Sequence, residues 1–320
     1  MTDTVSNTSN VTFNTAVLFL VFNRPDTTAR VFEAIRQAKP SRLYVAADGP
    51  RASRIGEAEK VAAVRAIATA VDWPCEVKTL FGTENLGCKH AVSRAITWFF
   101  EQEEQGIILE DDCLPHPDFF VFCQDLLVRY ADDERVAMIT GDNFQNGQRR
   151  GDASYYFSKF NHIWGWASWR RAWQHYDVNI ALWPEWNCSS HWNDSFQDCI
   201  EQKYWQKIFN AVHQNKIDTW DYQWTVCVWR NNGLTATPNV NLISNIGFGA
   251  EATHTLAENN PQSNMPTQSM GKIIHPLKVE RNAEADRYVF DYVLSGRDLR
   301  FPRTIFNKFR RLFKKLTQIK

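Results

Sequence analysis

The sequence predicts an α/β fold, in which a doubly wound, mostly parallel sheet is flanked by helices. Apolar runs alternate with amphipathic segments three times between residues 16 and 109, which is typical of strand–helix–strand units. The first run, residues 16–22, is continuously apolar, as expected of a strand covered on both faces. A chain of 320 residues is long enough to bury such a sheet in one large domain.

The predicted elements follow in order along the first half of the chain. Strands are expected at residues 16–22, 42–46, 75–80, 107–109 and 136–140, and helices at about 26–38, 57–70 and 89–102. Asp26 is a candidate N-cap of the first helix, and Pro117 can occupy the first position of a later one. Right-handed crossovers bring the carboxyl ends of parallel strands to one edge, where ligands bind.

The predicted site is organised around the segment Gly106–Phe120. Its apolar residues 107–109 form a short strand that ends at three consecutive acids, Glu110–Asp112. Such carboxylates suit a hard divalent cation, Mg²⁺ or Mn²⁺, which shares its oxygen ligands with substrate phosphates. Alternatively, Asp111, Asp112 and Asp118 only line a helix N-terminus, where the dipole favours acids by a few tenths of a kcal/mol.

Polar residues also follow three other strands at the same predicted edge: Asn23-Arg24, Asp48-Gly49 and Gly141-Asp142-Asn143. Each is compatible with an ordinary turn, but their coincidence on one edge favours binding. The chain has no G-x-G-x-x-G after the first strand and no G-x-x-x-x-G-K-[ST], so neither a dinucleotide fold nor a P-loop is supported. Phosphates would have to be held another way, and a cation on the acidic triplet is the candidate.

Tryptophan is concentrated in the second half, where eleven of the thirteen residues lie between Trp164 and Trp229. For any single tryptophan a core position is the better interpretation, although the polar rim of the ring also suits sugar contacts. Part of the cluster is expected to face a cleft. Asp221 lies among aromatic residues, where desolvation would raise its pKa toward a value useful for a general base. The alternative is a surface acid that begins a helix over residues 222–230.

Charge and cysteine content narrow the class of protein. Lys plus Arg equals Asp plus Glu, 36 each, so no global field favours nucleic acid as a partner. The seven cysteines include no C-x-x-C pair, which argues against a disulfide framework and a structural zinc. No secretory signal is expected before the first apolar run, which is too short to span a bilayer. We therefore expect a cytoplasmic protein.

Two later segments have a distinct composition. Residues 257–271 are rich in Asn, Gln, Ser and Pro and predict a mobile loop. Residues 301–320 place an apolar stripe opposite lysines and arginines, which predicts a basic amphipathic helix. Such a helix suits peripheral attachment to an anionic membrane surface, here the inner face of the cell membrane. Docking on the acidic body of the protein itself is the alternative.

Taken together, these motifs resemble those of GT-A fold glycosyltransferases, close to the family 2 type and to N-acetylglucosaminyltransferase I, among the nucleotide-diphospho-sugar transferases. The resemblance spans roughly residues 15–255, and its most specific part runs from Glu110 to Phe120. The other matching segments are Phe22-Asn23-Arg24-Pro25, Asp48-Gly49, Asn85-Leu86-Gly87, Gly165-Trp166, Trp220-Asp221 and Gly247-Phe248-Gly249.

The resemblance implies a metal-dependent transfer of a sugar from a nucleoside-diphosphate sugar, with UDP-sugars favoured, to a saccharide or glycolipid acceptor. The acidic triplet would be the equivalent of the family's D-x-D motif, with Asp112 and His254 as ligands of Mn²⁺ or Mg²⁺. Asp221 would be the base of an inverting reaction. The donor would contact Asn23, Arg24, Asp48, Asn85, Lys89, Glu110 and Asp111. The acceptor would contact Asp142, Trp164, Trp166 and Trp220.

We expect the chain to consist of five segments. They are a disordered N-terminus (residues 1–14), a nucleotide-sugar-binding half (15–145), an acceptor and catalytic half (146–256), a mobile loop and linker (257–300) and the basic helix (301–320). Two other functions stay open. A sugar-nucleotide pyrophosphorylase would normally carry glycines where this chain has Asn23-Arg24-Pro25. A non-enzymatic carbohydrate- or membrane-binding protein would leave the acidic triplet unexplained.

Overall fold

The structure is a computed structural model that describes residues 13–248, 261–300 and 302–303. Its strands are β1 (Val17–Val21), β2 (Arg42–Ala47), β3 (Glu76–Phe81), β4 (Gln105–Glu110), β5 (Cys113–Pro115), β6 (Val136–Thr140), β7 (Tyr155–Ser158), β8 (Trp166–Trp169), β9 (Leu234–Pro238) and β10 (Ile243–Asn245).

The helices are α1 (Pro25–Ala38), α2 (Glu57–Ala68), α3 (Gly87–Gln102), α4 (Pro117–Arg129), α5 (Arg170–Trp173), α6 (Trp183–Asn187), α7 (Ser190–Asp194), α8 (Cys199–His213), α9 (Asp221–Arg230) and α10 (Ala283–Tyr288). A π-helical turn, Val289–Val293, and a 3₁₀ turn, Gly296–Leu299, follow.

Eight of the strands form one mixed sheet in the order β3-β2-β1-β4-β8-β6-β9-β7. The pairs β1–β2, β1–β4, β2–β3 and β6–β9 are parallel. Strand β8 runs antiparallel between β4 and β6, and β7 runs antiparallel at the edge. The predicted fold class, a doubly wound and mostly parallel sheet flanked by helices, is confirmed.

The apolar run of β1 explains why this strand lies at the centre. All five of its residues are buried, and they alternate between two cores on opposite faces of the sheet. Val17, Phe19 and Val21 pack with residues of α1 and α4. Leu18 and Leu20 pack with residues of α3 and with the tryptophan-rich half. Each fully buried side chain of this size contributes about 2 kcal/mol to stability.

The starts of the two helices nearest the acidic segment differ from each other. Pro117 occupies the first turn of α4 as predicted, and the Nδ1 of His116 accepts a hydrogen bond from the Asp118 amide at 3.1 Å. The prediction that Asp26 caps α1 is wrong. Arg24 stands at the N-cap without a capping side-chain bond, because Pro25 already begins the helix.

The tryptophan-rich half forms most of the second core. Nine tryptophans between residues 166 and 229 belong to it, namely Trp166, Trp173, Trp183, Trp186, Trp192, Trp205, Trp220, Trp224 and Trp229. Their rings contact one another edge-on and tilted, as in the Trp183–Trp192 pair, whose centroids lie 4.9 Å apart. The core interpretation is therefore confirmed for most of the cluster.

A small two-stranded sheet brings a distant segment to the acids. Strand β10 pairs antiparallel with β5, and the Ile246 amide donates to the carbonyl oxygen of Asp112 at 2.8 Å. In consequence, Gly247 lies next to the acidic triplet.

Residues 261–300 belong to the segment predicted as a mobile loop and linker, yet they pack against the domain. Asp118 accepts hydrogen bonds from Ser269 Oγ and from the Met270 amide, both at 2.7 Å. Ser158 of β7 donates to Asp286 of α10 at 2.6 Å. Hydrogen bonds thus connect this part of the chain to α4 and β7. In the part of the chain that the structure describes, no helix has the length and apolar character needed to cross a bilayer.

Candidate active site

A cleft of about 690 Å³ opens at the carboxyl ends of β1, β2 and β4, and this volume falls in the range of small-ligand pockets. Nine of the residues predicted for the site line it: Arg24, Asp48, Asn85, Glu110, Asp111, Asp112, Trp164, Trp220 and Asp221. The parallel pairing of these strands brings their polar ends to one edge, as the sequence predicts.

The guanidinium of Arg24 lies between Asp111 and Asp112. Nη2 forms an ion pair with Asp111, and Nη1 donates to Asp112 Oδ2 at 2.9 Å. The Phe22 amide also donates to Asp111, at 3.2 Å. Burial of Arg24 would lower its pKa, but the two carboxylates outweigh that effect and raise the pKa above its usual value. Arg24 is therefore a permanent positive charge at the end of β1.

Gly247 lies directly against this ion pair. A Cβ built on Gly247 would be 2.1 Å from Asp112 Oδ2 and 2.6 Å from Arg24 Nη1. A side chain at this position would displace one of the two groups, so the close approach requires glycine. The amide of Gly247 donates to Asn245 Oδ1 at 2.9 Å, which holds the backbone in place beside Asp112.

The acids of the cleft outnumber its bases. Among the described lining residues there are six acids, Asp48, Glu110, Asp111, Asp112, Asp218 and Asp221, and three arginines, Arg24, Arg51 and Arg94. Burial, together with Asp112 and Asp111, raises the pKa of Glu110 to about 8. Burial also raises the pKa of Asp111 to about 6, although Arg24 opposes the shift. An added cation would therefore be favoured here.

We expect these shifts to make the stability of the metal-free protein depend on pH. Both acids have a pKa in the folded state above the unfolded value of about 4, so their stabilising contribution is complete below that pH. It is lost as pH rises through about 6 for Asp111 and about 8 for Glu110. Glu110→Gln should therefore gain about 2 kcal/mol relative to wild type between pH 5 and 8, since one pKa unit is about 1.4 kcal/mol and solvent contact reduces the full value.

Urea unfolding in chelator at several pH values measures this difference. Glu101→Gln, at an exposed position on α3, is the matched control and should show no such trend. A stability difference between Glu110→Gln and wild type that does not change with pH would contradict the expectation.

The cleft lining also contains Asp221, the first residue of α9. The Thr219 hydroxyl donates a hydrogen bond to Asp221 Oδ1, which orients the carboxylate. Trp220 is almost fully buried and stacks on Trp166, with centroids 5.7 Å apart. Trp164 is only partly buried, and its ring contacts Phe248 edge-on at 5.7 Å. The predicted base is thus held in position on the cleft, with aromatic rings beside it.

Two predicted acceptor-binding residues lie outside the cleft lining. Trp166 is fully buried in the second core. Asp142 is 1% exposed and accepts a hydrogen bond from the Trp164 amide at 3.0 Å, and its burial raises the pKa of the carboxyl well above its usual value. Asp142 therefore supports the backbone under Trp164, and neither side chain is placed to meet an acceptor.

Two predicted donor-binding residues are also engaged elsewhere. Asn23 donates to Glu57 of α2 at 2.9 Å, and the Lys89 ammonium donates to Asn215 Oδ1 at 2.8 Å. Neither belongs to the cleft lining. His254, the predicted second metal ligand, and nearly all of the predicted basic helix, residues 301–320, lie outside the described residues.

Asp48 and Asn85 line the cleft but also hold it together. The Asp48 carboxylate accepts from Asn85 Nδ2 at 2.9 Å and from the amides of Leu86 and Gly87 at 3.0 Å. These bonds fasten the end of β2 to the start of α3, where a carboxylate is favoured by the helix dipole. Asp48 and Asn85 would therefore affect ligand binding partly by fixing the shape of the cleft between β2 and α3.

Sequence reasoning missed several lining residues, of which Arg51 and Phe81 are the clearest. Arg51 follows Asp48 on the same strand end, so the edge argument could have included it. Its guanidinium lies 5.3 Å from the centre of the Phe22 ring and pairs with Glu57. Phe81 ends β3 and keeps 36% of its surface exposed. An aromatic residue at the end of a predicted strand, Phe81, was the sequence feature that could have indicated this part of the cleft.

The carboxylate oxygens of Asp112 and Glu110 are ligands of the kind that Mn²⁺ and Mg²⁺ prefer. Within residues 13–248, 261–300 and 302–303, no group of three or more His, Cys, Asp or Glu side chains converges as a metal site would require. Mg²⁺ sites commonly use one or two carboxylates and take their other ligands from substrate phosphates and water. Glu110 and Asp112 supply such oxygens, so the residues fit a cation that is shared with a substrate.

The fold and cleft define an α/β protein with a ligand site of acids and arginines at the carboxyl edge of its sheet. No protein-family model and no curated protein matches the chain.

Solved structures share some likeness with it. HddC from Yersinia pseudotuberculosis is 9% identical, with 52% of this chain and 83% of HddC covered and a TM-score of 0.32. A UDP-glucose pyrophosphorylase complexed with UDP-glucose is 12% identical, with 45% and 62% covered and a TM-score of 0.26. The glycosyltransferase GlyE of Streptococcus pneumoniae TIGR4 is 9% identical, with 70% and 45% covered and a TM-score of 0.32. Likeness at this level does not determine function, which has to be argued from the cleft.

Proposed function

We propose that this chain is a glycosyltransferase that moves a sugar from a nucleoside-diphosphate sugar, with UDP-sugars favoured, to a saccharide or lipid-linked acceptor. The observation that supports this most is the arrangement of one cleft. Arg24, the triplet Glu110–Asp112 and Asp221 all line it. A group that binds an anionic leaving group and a candidate base thus face a common space.

The wall formed by the ends of β1, β2 and β3 suits the nucleotide. Phe22 and Phe81 offer aromatic surface for a base, and Arg51 adds a positive charge beside Phe22. Arg24 presents a planar fork of donors that matches phosphate oxygens. The diphosphate would therefore lie near Arg24, with the sugar directed toward Glu110 and Asp221.

Asp112, with Glu110 beside it and His254 as a further candidate ligand, would hold Mn²⁺ or Mg²⁺. When bound, such a cation supplies Lewis-acid stabilisation of the leaving diphosphate worth several kcal/mol. The excess of acids over arginines in the described lining supports a bound cation.

Asp221 would act as the general base. Its carboxylate takes the proton of the acceptor hydroxyl while that oxygen bonds to the anomeric carbon. The bond from the anomeric carbon to the diphosphate oxygen breaks, and the electron pair leaves with the diphosphate. Attack from the face opposite the leaving group inverts the anomeric centre. Hydrogen bonding from Thr219 keeps the Asp221 carboxylate oriented for this transfer.

Trp164 and Trp220 both line the cleft, and the partly buried Trp164 supports a saccharide acceptor, because sugar rings pack on aromatic surface. For residues 301–320 we propose attachment to an anionic membrane surface, on the sequence pattern alone. The cysteine pattern supports a cytoplasmic location.

Asp112→Ala should lower the rate of transfer about a hundredfold or more, because the cation and the diphosphate lose a shared ligand. The fold should persist because Arg24 keeps its ion pair with Asp111. Steady-state kinetics with saturating Mn²⁺ measure the loss, and circular dichroism checks the fold. Asp132→Ala, an exposed acid between α4 and β6, is the control. Equal rates in Asp112→Ala and wild type would remove Asp112 from the mechanism.

A donor screen tests the function itself. Purified protein is incubated with UDP- and GDP-sugars, Mn²⁺ and a panel of saccharide acceptors, and released nucleoside diphosphate is measured. We expect release that depends on both a sugar nucleotide and an acceptor. Formation of pyrophosphate from a nucleoside triphosphate and a sugar phosphate would favour a pyrophosphorylase. Saccharide binding without turnover of any donor would favour a carbohydrate-binding protein.

A further inference from the structure

We propose that Arg24 is a positioning residue that competes with a divalent cation for Asp112, so that the cation binds tightly only together with the donor diphosphate. The inference rests on the proposed function and adds an order of events to it. Its basis is the contact pattern around Asp112 in the ligand-free cleft.

Both carboxylate oxygens of Asp112 already have a partner. Oδ2 accepts from Arg24 Nη1 at 2.9 Å, and Oδ1 accepts from the Cys113 thiol at 3.3 Å. The side chain is only 14% exposed. A cation that approaches Asp112 must therefore share these oxygens with the donors already bound to them. It must also approach a guanidinium of the same sign, in surroundings where water screens charges weakly.

The backbone limits where the two groups can move. Gly247 lies so close that a Cβ there would be 2.1 Å from Asp112 Oδ2 and 2.6 Å from Arg24 Nη1. The pair is thus confined on the side of Gly247. The cleft is the open side, and movement of Arg24 toward it follows the direction in which a ligand would lie.

Asp111 is suited to anchor Arg24 during such a movement. Asp111 is 3% exposed and pairs with Nη2, the other end of the same guanidinium. Leaving a buried carboxylate without its partner is strongly unfavourable, so the Nη2–Asp111 contact is expected to persist. Nη1 can then exchange Asp112 for a diphosphate oxygen, because phosphate accepts from the guanidinium fork as carboxylate does. That exchange frees Asp112 Oδ2 for the cation.

The test is the affinity of Mn²⁺ for the full-length protein with and without UDP, read from the electron paramagnetic resonance signal of free Mn²⁺ after correction for the Mn²⁺ that UDP binds without protein. Wild type should bind Mn²⁺ alone at least tenfold more weakly than Mn²⁺ with UDP. Arg24→Gln should bind Mn²⁺ alone at least tenfold more tightly than wild type. Arg30→Gln is the matched control, because Arg30 is an exposed arginine of α1, the helix that begins after Arg24, and does not line the cleft. It should match wild type for Mn²⁺ alone.

Arg24→Lys protects the test against a folding failure of the Gln variant. An ammonium can keep the charge on Asp111 but lacks the planar fork that gives each acid its own nitrogen, so Mn²⁺ alone should again bind more tightly than to wild type. Unchanged or weaker Mn²⁺ binding in both Arg24 variants, while wild type still binds Mn²⁺ with UDP, overturns the competition and leaves the proposed function intact. If wild type binds no Mn²⁺ even with UDP, the competition and the metal dependence of the proposed function both fail.

Discussion

Asp221→Asn is expected to lower kcat for sugar transfer by about 10³-fold, within the range that a positioned general base contributes. The amide keeps the shape of the side chain and can still bond to Thr219, but it cannot take a proton from the acceptor. Donor affinity should change little, because the proposed diphosphate contacts are made by Arg24 and Asp112. Kinetics with a saturating donor, together with calorimetry for UDP binding, separate these two effects.

The matched control is Asp194→Asn, which removes an exposed acid from the end of α7. It should leave kcat and thermal stability at the values of the wild type. Asp221→Asn itself should lose no more than about 1 kcal/mol of stability, the cost of a charge lost at the start of α9. Normal turnover by a folded Asp221→Asn protein would show that another group is the base.

Trp166→Ala is expected to destabilise the protein by about 4 kcal/mol, the cost typical of removing a large buried ring. Trp166 has no exposed surface and packs against Trp220, Trp224 and Trp173. Since whole domains are stable by only about 5–15 kcal/mol, the variant is to be studied at low temperature. Trp166→Phe serves as a milder change. Urea unfolding measures the loss.

Comparison with Trp164→Ala distinguishes the loss of a core side chain from the loss of a side chain that lines the cleft. Trp164 is partly exposed and lines the cleft, so its loss should raise the KM for a saccharide acceptor more than it lowers stability. If Trp166→Ala instead left stability unchanged and raised the acceptor KM, the core assignment of Trp166 would be contradicted.

The fold was predictable because local patterns agree with the sheet. The run of residues 16–22 has to be covered on both faces, and the structure places β1 at the centre of the sheet with a core on each face. Pro117 begins α4, as expected of a residue that has no amide hydrogen to donate. By contrast, the antiparallel insertion of β8 between β4 and β6 depends on long-range pairing. No periodicity within residues 166–169 indicates a partner.

The site was predictable to the extent that strand ends define it. The edge rule brought Arg24, Asp48 and the triplet Glu110–Asp112 to one cleft. It did not separate residues that face the cleft from those that support it. Asp142 follows a strand just as Asp112 does, but its side chain turns into the protein to bond the Trp164 amide. That distinction depends on side-chain direction and neighbours, which a sequence pattern does not contain.

The ion pair of Arg24 was likewise beyond sequence reasoning. The sequence places Arg24 and the triplet some 86 residues apart along the chain, and only the parallel pairing of β1 with β4 brings them together. The same holds for Gly247, which reaches Asp112 through the pairing of β10 with β5. Both contacts alter the expected chemistry, since Asp112 already has a partner before any ligand arrives.

The most direct measurement is a crystal structure of the full-length protein grown with UDP and Mn²⁺. We expect the diphosphate bound to Arg24, Mn²⁺ shared between the diphosphate and Asp112, and the space between the diphosphate and Asp221 open for a sugar and its acceptor. An empty cleft in crystals that contain both ligands, or UDP bound away from Arg24 and the acidic triplet, would contradict this expectation.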